Sequence, residues 1–225
     1  MRLTTILPLL LSPTSIVHAY TPLSDTLLRS IPSPSQSDFD INPPPSNSDS
    51  TNTNPPLLAP LLIPRVPGTP GQVAAQQHFI SFFTRHLPEW EILWQNSTQK
   101  APVPNTHGAE TQDLPFANII LRREPPWAAK KPHKQGSVGL LTLVAHYDSK
   151  VLEREGFVGA TDSAAPCAVL MWVAREVERW LVKRWAKGEE GEKEGVGNEG
   201  VQILLLDGEE AFRSWTDEDS LYGAR

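Results

Sequence analysis

Three short clusters in this chain carry acidic residues or histidine: His146-Tyr147-Asp148-Ser149, Gly159-Ala160-Thr161-Asp162-Ser163 and Asp207-Gly208-Glu209-Glu210. Carboxylates and imidazole are the usual ligands of zinc outside thiolate sites. The Glu209-Glu210 pair adds a geometric argument. Neighbours on extended backbone point in different directions, so one carboxylate can bind a metal while the other faces substrate as a general acid or base. Each cluster alone has an ordinary reading: Asp162 as a helix N-cap, His146 and Asp148 as a hydrogen-bonded pair at a strand end, and the glutamates as solvated. The combination points to chemistry because all three hold equivalent places in one short unit.

That unit is visible in the apolar pattern. Runs at 118–121, 138–145 and 201–206 read as strands, and the last two lack polar alternation, as strands covered on both faces do. Between them, 164–186 reads as a long helix with Val169, Trp172, Val173, Glu176, Trp180 and Lys183 at helical spacing. Strand, helix, strand is the βαβ unit of a parallel or mixed sheet, and in open α/β sheets ligands bind at the carboxyl ends of strands. Each cluster follows a strand or precedes the helix. Upstream, Thr69-Pro70-Gly71-Gln72 has the form of a capping box. The helix after it places Val73, Ile80, Phe83 and Leu87 in a packing stripe. The polar stretches 122–136 and 187–200 read as solvated loops.

Length and composition set the outer bounds. The 225 residues suffice for one α/β domain with additions. A net charge of -6 argues against a nucleic-acid partner, which needs clustered Lys and Arg. Arg2, the apolar run 3–11 and Val17-His18-Ala19 predict a cleaved secretory signal over 1–19, too short and too interrupted for a membrane anchor. Residues 20–56 are rich in Pro, Ser, Asn and Asp and read as a disordered linker. The single cysteine, Cys167, cannot pair internally and reads as a small buried apolar residue. Asn96-Ser97-Thr98 is a glycosylation sequon.

Several of these motifs resemble the M28 metallopeptidase family, and within it the glutaminyl-peptide cyclotransferases. Val144-Ala145-His146-Tyr147-Asp148-Ser149-Lys150 resembles the His-x-Asp strand end of M28 enzymes. Phe157 to Ala168 and Asp207-Gly208-Glu209-Glu210-Ala211-Phe212, with Trp215 and Asp219-Ser220-Leu221-Tyr222-Gly223, are similar to the cyclases, as are 61–65 and 67–71. The resemblance implies a three-layer α/β/α catalytic domain over 57–225, with a mixed, mostly parallel sheet like that of zinc aminopeptidases. It implies zinc held by Asp162 and Glu210, Glu209 as general acid/base and Trp215 lining the substrate pocket. His146 and Asp148 match the peptidase pair that serves a second metal; in single-zinc cyclases they are supporting residues.

The implied reaction converts N-terminal Gln of peptides or proteins to pyroglutamate with release of ammonia. The alternative within the fold is a secreted zinc aminopeptidase; the alternative outside it is an inactive fragment. Vertebrate-type cyclases carry a second cysteine where this chain has Ala145. The family also continues past the position matching Arg225, where its third zinc ligand, a histidine, lies. On that ground the chain is expected to represent the N-terminal part of a longer enzyme, and by itself to be inactive or poorly folded.

Overall fold

A computed structural model of the chain describes residues 24–30, 41, 56–103, 110–128, 138–151, 156–189 and 198–224. The signal expected over 1–19 lies outside them. Of the segment expected as a linker, two points are described. One is the short helix α1 (Asp25–Ser30), with Asp25 in its first turn and Arg29 in its last, signs that suit the helix dipole. It belongs to a compact unit of its own, Met1–Phe39. The other is Ile41, whose carbonyl accepts from the amides of Leu57 at 2.9 Å and Leu58 at 3.0 Å. The sheet, the helices packed on it and the three clusters all belong to the second unit, Asp40–Arg225.

Helix α2 (Pro70–His86) begins where the sequence predicts, with Thr69 at the N-cap and Pro70 in the first turn. The capping box, however, does not form. The Thr69 hydroxyl donates to the Val66 carbonyl at 2.6 Å, and Gln72 Oε1 accepts from Gly68 N at 2.8 Å rather than from the cap residue. The Nε2 of the same amide reaches across to Asp207. The packing stripe holds in part: Phe83 and Leu87 are buried and Ile80 packs against the core, but Ala75, Phe79 and Phe82 are buried with them while Val73 is 47% exposed. Three phenylalanines fill more volume against the sheet than Val73 and Ile80 do, so they set which face turns inward.

The sheet has four strands in the order β1-β2-β4-β3. Strand β1 (Glu91–Pro102) pairs antiparallel with β2 (Thr111–Arg123), which pairs antiparallel with β4 (Glu199–Leu206). Strand β3 (Gly139–His146) lies parallel to β4, and helix α3 (Ala165–Glu189) connects them, so the βαβ unit stands. The sheet is mixed and open, as expected, but among the described residues only the β3–β4 pairing is parallel, so the mostly parallel sheet that the resemblance implied is not seen there. Strand β1 has no counterpart in the sequence reading, because Gln95 to Lys100 is polar. An edge strand tolerates that composition. Strand β2 also starts well before 118.

One core joins α2 and α3 to the sheet through Ile119 and Leu121 of β2, Val201, Ile203 and Leu205 of β4, and Leu143 and Ala145 of β3. The buried face of α3 runs through Cys167, Ala168, Met171, Ala174, Leu181 and Trp185, not through the residues at 169, 172, 176, 180 and 183 that the spacing suggested. Small residues at 167, 168 and 174 let the helix axis approach the sheet. Trp172 and Trp180 flank the contact, and Trp180 is exposed. Cys167 is buried, and burial pushes its thiol up to about 12, which suits an inert packing role. Among the described residues β3 is not covered on both faces, since Val144 is 53% exposed.

Candidate active site at the strand ends

Because β3 and β4 are parallel and in register, His146 lies beside Leu206, and the amide of Tyr147 donates to the Leu206 carbonyl at 2.8 Å. The residues that continue both strands therefore leave the sheet side by side. The third cluster arrives through the turn Ala160–Ala164 that opens α3; Gly159 precedes it in a left-handed conformation, φ 50°. Three clusters distant in sequence thus meet at one edge.

Their meeting point is His146. Its Nε2 lies 2.8 Å from Asp162 Oδ1 and 3.9 Å from Glu209 Oε2, and its Nδ1 lies 3.2 Å from Asp148 Oδ1. Burial alone would lower the imidazole pKa. The hydrogen bond and charge of Asp148, joined by Asp162 and Glu209, raise it to about 9. Asp148 is fully buried and accepts two further hydrogen bonds, from the amides of Glu209 at 3.1 Å and Glu210 at 3.0 Å. One carboxylate thereby ties the β3 end to the paired glutamates. Glu209 and Glu210 are both shifted upward, first by burial and then by their negative neighbours, with His146 pulling the other way. A carboxyl raised in this manner holds a proton more readily than a free one, which suits it to proton transfer.

Of the expected site residues, the structure brings His146, Asp148, Asp162 and Glu209 into direct contact, with Glu210 held beside them through Asp148. Glu210 and Asp148 also line a shallow surface depression with Pro67, Val151 and Phe212. Trp215 stands on the loop after the glutamates, 54% exposed. Asn96 lies on β1, exposed and away from this cluster. The donors Asp162, Glu210 and His146 fit zinc in kind. Among the described residues, though, no group of three such side chains surrounds one point.

Sequence reasoning passed over several residues that build this edge. Arg65 is fully buried, and its guanidinium donates to the carbonyls of Leu61, Ile63 at 2.9 Å, Tyr147 at 2.7 Å, Val158 at 2.6 Å and Gly159 at 3.4 Å. It binds the strand end that carries His146 to the turn that carries Asp162. Asp207 is fully buried beneath the glutamates. Its Oδ2 accepts from Gln72 and from Ala117 N at 2.8 Å, and burial pushes its pKa up to about 7. Asn118 donates to the Gly223 carbonyl and accepts from Asp207 N at 2.8 Å. Arg65 and Asp207 both sit inside the cyclase-like motifs, so their place in the sequence was a signal. The partners that tie them into the site, Tyr147, Val158 and Gly159 for Arg65 and Gln72 and Ala117 for Asp207, are distant in sequence, so no local pattern reveals them.

The comparisons with known proteins agree with this geometry. Residues 128–225 match the model of peptidase family M28. The chain is 34% identical over 170 residues to a Bos taurus glutaminyl-peptide cyclotransferase-like protein, covering 75% of this chain and 38% of that one. A Bos taurus glutaminyl-peptide cyclotransferase is 36% identical over 171 residues, covering 75% of this chain and 41% of that one. The chain thus spans about two fifths of the length of the curated relatives it matches. The crystal structure of Macrostomum lignano glutaminyl cyclase superposes with a TM-score of 0.54 at 30% identity, over 75% of this chain and 41% of that one. The strand-end cluster, from His146 to Glu210, falls within the M28 match.

Proposed function

We propose that the protein is a zinc-dependent glutaminyl-peptide cyclotransferase, closing the N-terminal Gln of peptides or proteins to pyroglutamate with loss of ammonia. The observation that carries this reading is Glu209. Its carboxyl is partly buried, raised in pKa and fixed through its own backbone amide by Asp148, at an edge shared with relatives named for this reaction.

In the reaction the α-amine nitrogen attacks the carbonyl carbon, Cδ, of the γ-carboxamide, a C–N bond forms, and the bond from Cδ to the departing amide nitrogen breaks. Glu209 takes the proton from the attacking amine and delivers one to the leaving ammonia, so no water nucleophile is consumed. Asp162 and Glu210 are the residues that would hold zinc, with further ligands from outside the described residues. When bound, the ion polarises the γ-carboxamide carbonyl. Trp215, exposed on its loop, would provide an apolar wall for the glutamine side chain. His146 in this reading is a supporting residue that orders Asp162.

A second reading has its own observation. His146 Nε2 lies 2.8 Å from Asp162 Oδ1, and these two donors would hold the second metal of an aminopeptidase. Gln-peptides and Leu-peptides offered to the complete protein separate the two. Ammonia and pyroglutamate from the first, abolished by chelation and restored by zinc, support the cyclase; free leucine from the second sinks it.

We also propose that the protein is secreted, on the strength of the signal-like residues 1–19, with a glycan on Asn96. That asparagine is exposed on an edge strand, where a glycan meets no packing. A mass shift on glycosidase treatment of protein recovered from the medium checks both.

A further inference from the structure

The loop after the paired glutamates is closed on a single carboxylate. Asp219 Oδ1 accepts from Phe212 N at 2.9 Å and from the Tyr222 hydroxyl at 2.6 Å; its Oδ2 accepts from Arg213 N and Ser214 N, each at 2.9 Å. Three consecutive amides and a phenol thus converge on one side chain that is only 8% exposed. Thr216 completes the ring, with its hydroxyl accepting from Asp219 N at 2.9 Å. Trp215 lies between Ser214 and Thr216, inside this ring, and is the large apolar side chain the ring turns toward solvent.

The same loop returns to the catalytic strand end. Gly223 N donates to the Asp207 carbonyl at 3.1 Å, Tyr222 N to Gly208 at 2.7 Å and Leu221 N to Glu209 at 3.0 Å. Leu221 adopts φ 55° to do so, a conformation that non-glycine residues enter at a cost and hold only where the surroundings impose it. The Tyr222 ring, stacked on Phe116 at 5.1 Å and edge-on to Phe212 at 5.4 Å, anchors the return. Glu209 is therefore held on both sides of its Cα: its amide by Asp148, its carbonyl by Leu221.

We infer that Asp219 is a positioning residue: its carboxylate closes loop 211–223, and the closed loop presents Trp215 to substrate and braces Glu209. The roles of those two residues rest on the cyclase reading. Asp219 touches no reacting atom, and its influence passes through the loop.

The test compares the complete protein with its D219N, W215F and D219N/W215F variants, with Y222F as a milder probe that removes one of the four bonds. Limited trypsin digestion reads the loop directly, because Arg213 lies inside it. In D219N, cleavage after Arg213 rises about tenfold or more, the scale of coupling within one network, while the far-UV spectrum is unchanged. With a Gln-peptide substrate, D219N raises KM about tenfold, W215F does the same, and the double variant is no worse than either. Y222F falls between wild type and D219N in cleavage. Trypsin resistance equal to wild type in D219N, or KM effects that multiply independently in the double variant, would overturn the inference. If the wild-type protein releases no ammonia, the cyclase reading fails, and the cleavage rates of D219N and Y222F decide for or against the hub by themselves.

Discussion

At the scale of single residues, the site is organised by one buried carboxylate rather than by the groups expected to do the chemistry. Asp148 bonds His146 and the amides of Glu209 and Glu210 together, so its charge is felt by all three. Asn at this position keeps one acceptor and turns an NH2 toward a backbone N–H. In the metal-free protein, D148N should therefore lower the His146 pKa from about 9 toward its ordinary 6.5, since its first electrostatic support is gone. An NMR titration of the imidazole C–H signals reads the midpoint, and one still near 9 would assign the shift to Asp162 and Glu209 instead. For Glu209 the expectation is catalytic: E209Q removes the proton acceptor without changing shape, and kcat should fall by about 10² to 10⁴, the range for a positioned acid–base group. An activity within a factor of a few of wild type would remove Glu209 from that role.

At the scale of elements, the clusters and the βαβ unit were legible because they depend on short-range patterns. The strand 201–206 and the helix after Asp162 announce themselves by apolar runs and spacing. What was not legible is orientation. The stripe on α3 was misplaced by about one position because Trp172 and Trp180 outweigh Cys167, Ala168 and Ala174 in any count of apolar bulk, whereas close approach to the sheet favours the small residues. Gln72 looked like a cap partner and instead reaches Asp207 through the tertiary fold. The turn after β4 shows the same dependence on distant contacts. Gly208 has φ 65°, and a Cβ there would lie 2.4 Å from the Phe116 ring. G208A should cost about 2 kcal/mol or more, combining left-handed strain with overpacking, as read by urea unfolding; a neutral result would mean that Phe116 moves aside. The loop beyond it has a pH signature. Burial opposes the charge on Asp219, but the Tyr222 hydroxyl and the amides of Ser214, Phe212 and Arg213 outweigh it and hold the carboxyl below the usual range. Its contribution to stability is present above the ordinary carboxylate pKa and is lost as pH falls through the depressed folded value. Nicking near Arg213 by an acid protease should therefore rise in wild type as pH falls through that depressed value, and D219N should lack the rise.

At the scale of the whole molecule, the question is which sides of the sheet carry the core. The apolar strands 138–145 and 201–206 suggested cover on both faces, and the described residues place it on one. Alternation along the strands makes the division plain. Val201, Ile203 and Leu205 are buried under α2 and α3, while across the sheet Leu93, Ile120, Leu204 and Val144 form a register row on the opposite face. Composition cannot tell the two rows apart, because both are Leu, Ile and Val; only the placement of the helices does. The rows should differ in energy. In the 225-residue chain, Ile203→Ala removes buried methyl groups from the core and should cost about 2–5 kcal/mol. Val144→Thr exchanges a methyl for a hydroxyl at a position already 53% exposed and should stay within about 0.5 kcal/mol of wild type. Denaturant unfolding of the two variants measures both. A cost for Val144→Thr above about 1 kcal/mol, the penalty range for an unsatisfied buried hydroxyl, would reveal a second packed layer over that face. The molecule would then have the three-layer architecture that the sequence implied throughout.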